Sequence, residues 1–334
     1  MLGLTLGMVL TPAAATAAGA GRKTSTQAGA SSQTVARASS PTAAGASAQR
    51  PGALPQVAFT FDDLPAHGPL PPGMARPAVV SSILTTLQRE HMPPVYGFVN
   101  GFRVARYPYQ IHILQAWHAA GQPLGNHTWS HPELDKISAA AYVADIARNE
   151  AVLRKVDPHG DWRWFRYPFL EEGDTVAKRD AVRAWLEAHR YRIAEVSMDF
   201  QDYNWNDAYA RCAARREEAG VRSLHDSYLA AAAESIDVYR GIAQTLYGRD
   251  VPYILLLHAG AFDARMLPEL IALFRGHGFN FVTLEQASAD PVYRANPEVP
   301  APGGNTFNEL VAVARNVSVG AVTDRSKELE GMCR

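Results

Sequence analysis

The chain predicts an α/β fold: a distorted (β/α)7-type barrel with a helical insertion and a C-terminal extension. Three observations lead there. From residue 56 onward, short β-type runs alternate with longer stretches of helical spacing. Seven such runs fall within roughly 230 residues, one unit short of the eight-stranded parallel barrel. Acids, imidazoles and a guanidinium also recur where those runs end, which is the face on which a parallel barrel carries its functional groups.

The 334 residues carry a formal net charge of −1, so the chain is large enough for a sizeable core and has no basic excess that would suit a nucleic acid. Residues 1–20, "MLGLTLGMVLTPAAATAAGA", pair a short apolar run with small residues. They predict a signal peptide and export to the periplasm or beyond, although no basic residue precedes Arg22. The run is too short to span a bilayer, and no later run is long enough. Residues 21–55 are rich in Ala, Ser, Thr, Gly and Gln, too polar to offset their ordering entropy, and predict a flexible linker. No feature points to a protein partner.

The barrel domain is expected over 56–285. Its strands are expected at 57–61, 94–99, 122–126, 162–166, 192–198, 252–257 and 279–284. Helices are expected at 138–157, where Val143, Ile146, Leu153 and Val156 share a face, and at 175–190 and 263–277. Residues 206–250 are too long for one crossover. Leu224, Tyr228, Tyr239, Ile242 and Leu246 at helical spacing predict an insertion outside the barrel or over its mouth. Residues 286–334 form a Pro-rich extension with a short helix near 306–316. Cys212 and Cys333 are the only cysteines. In an exported chain they can form one bridge tying the tail to the body; the alternative is two unrelated thiols.

Five strand ends deliver chemistry to one rim: Asp62 and Asp63, then His127 and His131 in "HTWSH", then Arg166, then Asp199 with Asp202, then His258. Two imidazoles four residues apart, on a helical turn, can share a cation. A carboxylate from the first strand completes a two-His, one-carboxylate site with positions left open for water and substrate. Zinc is the default ion, and other divalent ions suit the same donors. One aspartate suffices for the metal, leaving the other as a general base; a nearby cation keeps both ionised. Arg166 can pair with the spare aspartate. Asp199 or Asp202 can hold His258 protonated, as a general acid requires. Trp129, Trp164, Phe169, Tyr203 and Trp205 lie close by in sequence, where rings can stack on sugars or simply pack the rim.

In this order, "TFDD", "HTWSH", "RYPF", "DFQDY" and "LLLH" resemble the five motifs of the polysaccharide deacetylase family, also called the NodB-homology or carbohydrate esterase family 4. The resemblance covers 56–285 and implies a hydrolase that removes N-acetyl groups from an N-acetylated glycan. It implies Asp62 as base, Asp63, His127 and His131 as metal ligands, and Arg166 as the residue that positions Asp62. It also implies Phe169, with Tyr167 beside it, as the substrate and oxyanion contact through the Phe169 N–H. His258 is then the acid, tuned by Asp199, with Asp202 the alternative that the spacing leaves open. Phe169 stands where the family has Tyr, and Tyr203 where it has Trp. Two other readings use the same residues: hydrolysis of C–N bonds in a small amide or cyclic imide, and, more remotely, a non-heme Fe(II) oxygenase, whose sites usually sit in all-β folds.

Overall fold

The computed structural model describes residues 54–334. The expected signal peptide, and the expected linker as far as residue 53, lie outside the described residues. Pro55 already belongs to the body: it is buried, and its carbonyl accepts the Asn280 N–H at 2.8 Å.

The strands are β1 (Gln56–Leu64), β2 (Tyr96–Val99), β3 (Leu124–Asn126), β4 (Trp164–Phe165), β5 (Glu171–Gly173), β6 (Arg192–Ile193), β7 (Tyr253–His258), β8 (Asn280–Phe281) and β9 (Ala301–Pro302). All but β5 and β9 form one parallel sheet in the order β6-β4-β3-β2-β1-β7, with β8 against the start of β1. β1 pairs with β2, β7 and β8 and is buried from Val57 to Leu64, as a parallel strand covered on both faces must be. The run 192–198, expected as one strand, meets both edges. Arg192 and Ile193 pair with β4, whereas Met198 bridges Leu255 of β7. The N–H groups of Ser197 and Met198 donate to Ile254 O, and the Leu256 N–H donates to Met198 O, each at 3.1 Å. The sheet therefore closes on itself as the expected distorted barrel.

The helices α1 (Arg76–Arg89), α2 (Gly101–Arg106), α3 (Ile111–Ala119), α4 (Ala139–Val156), α5 (Val176–Ala188), α6 (Tyr203–Arg215), α7 (Glu218–Tyr247), α8 (Ala261–Gly276), α9 (Leu284–Ser288), α10 (Phe307–Ala314) and α11 (Ser326–Gly331) fill the connections and the tail. The Ser138 and Thr175 side chains cap α4 and α5 by accepting the N–H groups of Ala141 and Lys178. Tyr142, Ile146, Asn149, Leu153 and Val156 form the buried stripe of α4.

The insertion is the pair α6 and α7, packed against α8 and each other. Its bulk lies outside the barrel, and only the first turn of α6 reaches the mouth. The tail returns to the body at several points. β9 pairs antiparallel with β5, a ribbon that the sequence reading did not anticipate. Beyond α11, Cys333 is disulfide-bonded to Cys212 of α6, so the single bridge is the arrangement found.

Candidate metal and acid–base site

In a regular strand, neighbouring side chains point to opposite faces, so Asp62 and Asp63 ought to diverge. Asp62 keeps strand register opposite His258 of β7. Asp63 leaves it: its φ is 64°, and the β1–β2 register shifts between Phe61 and Leu64. Such a bulge re-aims a side chain, and aspartate tolerates the left-handed region better than most residues. Both carboxylates thus approach His127, whose Nε2 lies 3.6 Å from Asp62 Oδ2 and 3.7 Å from Asp63 Oδ1.

His127 and His131 follow β3 on an irregular loop rather than on the expected helical turn. Thr128 and His131 have φ values of 65° and 56°, and Thr128 Oγ1 accepts the His131 N–H at 3.0 Å. The loop brings the two rings to 4.9 Å, and His131 Nε2 to 3.4 Å from Asp63 Oδ1. His127 Nδ1 donates to the Arg166 carbonyl at 2.8 Å, which leaves Nε2 as the lone-pair nitrogen. Burial holds both imidazoles down to about 4, in the neutral form that ligates metals.

Asp63 Oδ1 is buried and has no hydrogen-bond partner. An anionic oxygen left so, facing two imidazole nitrogens, is costly unless a cation completes it. Asp63, His127 and His131 offer ligand atoms within 4.8 Å of one another, a donor set that fits a divalent ion such as zinc.

Arg166 is buried and spans three partners. Nη1 lies 3.2 Å from Asp62 Oδ1, Nη2 donates to Thr60 Oγ1 at 3.1 Å, and Nε donates to the Ala194 carbonyl at 2.6 Å. Burial pushes the Asp62 carboxyl up to about 6, against the pull of this guanidinium.

At the end of β7, His258 is held by Asp202. Oδ2 accepts its backbone N–H at 2.6 Å and Oδ1 accepts Nδ1–H at 2.8 Å. Burial opposes charge on the ring, but the adjoining Asp202 carboxylate outweighs it and pushes His258 up to about 10. The expectation that Asp199 tunes His258 is therefore corrected. Asp199 Oδ1 accepts the Gln201 N–H at 2.7 Å, and residue 199 stands on the cavity wall, where burial pushes it up to about 7. Three residues farther on, at the entry of α6, the chain turns Asp202 beneath the histidine.

Asp62, Asp63, His127, His131, Asp199 and His258 line a cavity of about 290 Å³, with Arg166 and Asp202 behind them. Phe169, with φ 57°, sets its ring 4.4 Å from that of His131 and is 51 % exposed. Tyr203, across the site beside His258, is 39 % exposed. Trp164 and Trp205 are core residues, and Trp129 lies under the Arg148 guanidinium. Tyr167 reaches the wall, its ring packs on Phe165 and Tyr142, and its hydroxyl is buried. Of the wall residues that the sequence reading did not single out, two bear on the site. Gly304 arrives with the tail, its N–H donating to Phe169 O at 3.0 Å. His67 places Nδ1 2.6 Å from Asp63 Oδ2; its spacing of four from that aspartate was the available signal.

Residues 50–185 match the family described as polysaccharide deacetylase. The chain is 26 % identical over 148 residues to a peptidoglycan-N-acetylglucosamine deacetylase of Bacillus cereus, covering 44 % of this chain and 46 % of that protein. It is 23 % identical over 149 residues to a chitin deacetylase of Arthroderma benhamiae, covering 44 % and 35 %. The chain thus spans less than half the length of these curated relatives. Among solved structures, the chitin deacetylase of Colletotrichum lindemuthianum shares the fold with a TM-score of 0.51 at 20 % identity, over 76 % of this chain and 95 % of that one. A carbohydrate esterase family 4 pseudoenzyme mutant with restored activity gives 0.50 at 17 % identity, over 70 % and 67 %. Residues 50–185 thus resemble the polysaccharide deacetylase family, and the barrel has the fold of the chitin deacetylase structure.

Proposed function

We propose that this chain is a metal-dependent hydrolase that removes N-acetyl groups from an N-acetylated glycan. The observation that carries the reading is the meeting at one rim of an Asp63–His127–His131 donor set whose Asp63 Oδ1 is unsatisfied, an Arg166-held carboxylate and an Asp202-held imidazole. Asp63, His127 and His131 would hold a divalent ion, zinc by default. When bound, it supplies Lewis acidity toward the acetamide carbonyl and lowers the pKa of water.

The remaining roles belong to the chain. Arg166 fixes the rotamer of Asp62, and Asp62 accepts the proton of the attacking water. The Phe169 N–H faces the developing oxyanion. His258, charged at neutral pH, gives its proton to the departing amine, so that acetate and a free amino sugar result. Phe169 and Tyr203 offer exposed rings on either side of the cavity, which suits a sugar better than a small cyclic imide. The pairing of a positioned acid with a positioned base favours hydrolysis over oxygen activation.

Export is part of the proposal, supported by the disulfide, which persists in oxidising compartments. Among the described residues no helix is long and apolar enough to cross a membrane. The test is acetate release from chitin oligomers, peptidoglycan and an acetylated exopolysaccharide. Release should stop on chelation and return with Zn²⁺; no release from any of the three with zinc-loaded protein would refute the glycan reading.

A further inference from the structure

We propose that His67 is a positioning residue for the metal-binding carboxylate: it holds Asp63 Oδ2 so that Asp63 offers the cation a single oxygen, Oδ1. This rests on the metal-site reading above and concerns a residue outside the five matched motifs.

The two oxygens of Asp63 have different surroundings. Oδ2 takes the hydrogen of His67 Nδ1 at 2.6 Å and has Arg103 Nη2 at 3.9 Å. Oδ1 has no hydrogen-bond partner and faces His127 and His131. A carboxylate accepts but cannot donate, so the His67 proton must sit on Nδ1 and the contact is a hydrogen bond in one sense only. Such partners of ligating groups fix orientation and raise ligand basicity.

The His67 loop is built to hold that position. The His67 N–H donates to Ala259 O at 2.9 Å, just past the end of β7. Arg76 donates to the carbonyls of Ala66 and Gly68 at 3.1 and 3.2 Å, and Asn206 Nδ2 donates to Pro69 O at 2.9 Å. Gly68 has φ +61°, and a Cβ there would stand 2.4 Å from Asn206 Nδ2, so the close approach to α6 needs glycine. Three separate elements therefore fasten a loop whose one chemically able side chain meets Asp63. The His67 ring is also 4.8 Å from that of His258, and Asp63, His67 and His258 form a second cluster of ligand-type atoms. His67 Nδ1 gives its proton to Asp63 Oδ2, which is why His67 is assigned to positioning and not to direct ligation.

The experiment measures Zn²⁺ affinity by competition with a chromophoric chelator, together with the visible spectrum of the Co²⁺-loaded protein. It uses wild type, His67→Ala, His67→Asn and His131→Ala, with apo-protein melting as the check on folding. His67→Ala should lose about 10- to 100-fold in affinity. His67→Asn, which sets an amide N–H near the place of Nδ1, should recover most of the loss and keep the wild-type Co²⁺ spectrum. Wild-type affinity in His67→Ala, beside lost binding in His131→Ala, overturns this inference and leaves the metal site standing. A His67→Asn protein as weak as His67→Ala with an altered Co²⁺ spectrum also overturns it, by making the ring a ligand. If wild type takes up no ion, the metal-site reading falls and this inference with it.

Discussion

Asp202 grips His258 by both ends, accepting the backbone N–H on one carboxylate oxygen and the ring Nδ1–H on the other. The second contact keeps the ring charged far above its ordinary range, up to about 10. A histidine raised on folding stabilises the native state fully below its unfolded pKa of about 6.5, and that stability is lost as pH climbs through the folded value. The alkaline limb of the activity profile should therefore lie near pH 10 in the wild type. Asp202→Asn should draw that limb toward neutrality and flatten the loss of stability between those two values. Profiles of kcat/KM against pH, with thermal melts at matched pH, read both. An unmoved alkaline limb would remove His258 from the role of acid.

Asp62→Asn keeps the shape and an acceptor for Arg166 but abolishes the base. Acetate release should fall by about 10²- to 10⁴-fold. Metal stoichiometry should remain that of the wild type, because the proposed ligands are Asp63, His127 and His131. Turnover by the purified variant beside metal analysis checks the pair of outcomes. Retained turnover would transfer the base role elsewhere.

The barrel was legible in the sequence because buried parallel strands leave continuous apolar runs such as "PYILLL", and α4 leaves a clean helical stripe. The rim residues were legible because each sits directly after such a run. What escaped has no periodic signature. β5 and β9 are "EEG" and "AP", short pieces held by pairing and not by propensity. His67 is a lone imidazole in a Pro/Gly loop, and only the folding of that loop over β7 gives it a partner. Asp199 and Asp202 are three apart on irregular backbone, where spacing does not say which one turns inward. Similarly, the adjacent Asp62 and Asp63 share a site only because Asp63 adopts a positive φ, a backbone choice that residue identity permits but does not dictate.

The two exposed rings at the cavity should affect binding more than chemistry. Phe169→Ala and Tyr203→Ala should each raise KM about two- to tenfold, the range of an aromatic stacking contact. kcat should change less, since neither ring bears a proton needed in the reaction. Initial rates on N-acetylglucosamine oligomers of increasing length separate the two parameters. A fall in kcat at unchanged KM would show that the rings act instead by packing His131 and His258.

The disulfide closes a separation of 121 residues, so its loss should act mainly by freeing the unfolded chain, at a typical cost of about 2–4 kcal/mol. Cys212 is buried within the insertion, on α6, and the bridge lies more than two helical turns from Asp202 and Tyr203 at the start of that helix. Cys212→Ser/Cys333→Ser should therefore melt at lower temperature yet keep its metal affinity. Gly220 of α7 supplies an independent probe of the same contact. A Cβ built there would stand 2.5 Å from Cys333 Sγ and 3.0 Å from Cys212 Sγ, closer than packed atoms allow. Gly220→Ala should cost about 1–3 kcal/mol by overpacking while the bridge is present. In the Cys212→Ser/Cys333→Ser background the tail is released and the same substitution should cost less, because alanine favours the helix over glycine by up to about 1 kcal/mol. A double-mutant cycle on melting temperature measures the difference, and equal costs in the two backgrounds would show that the bridge does not set the fit of α7 against α6.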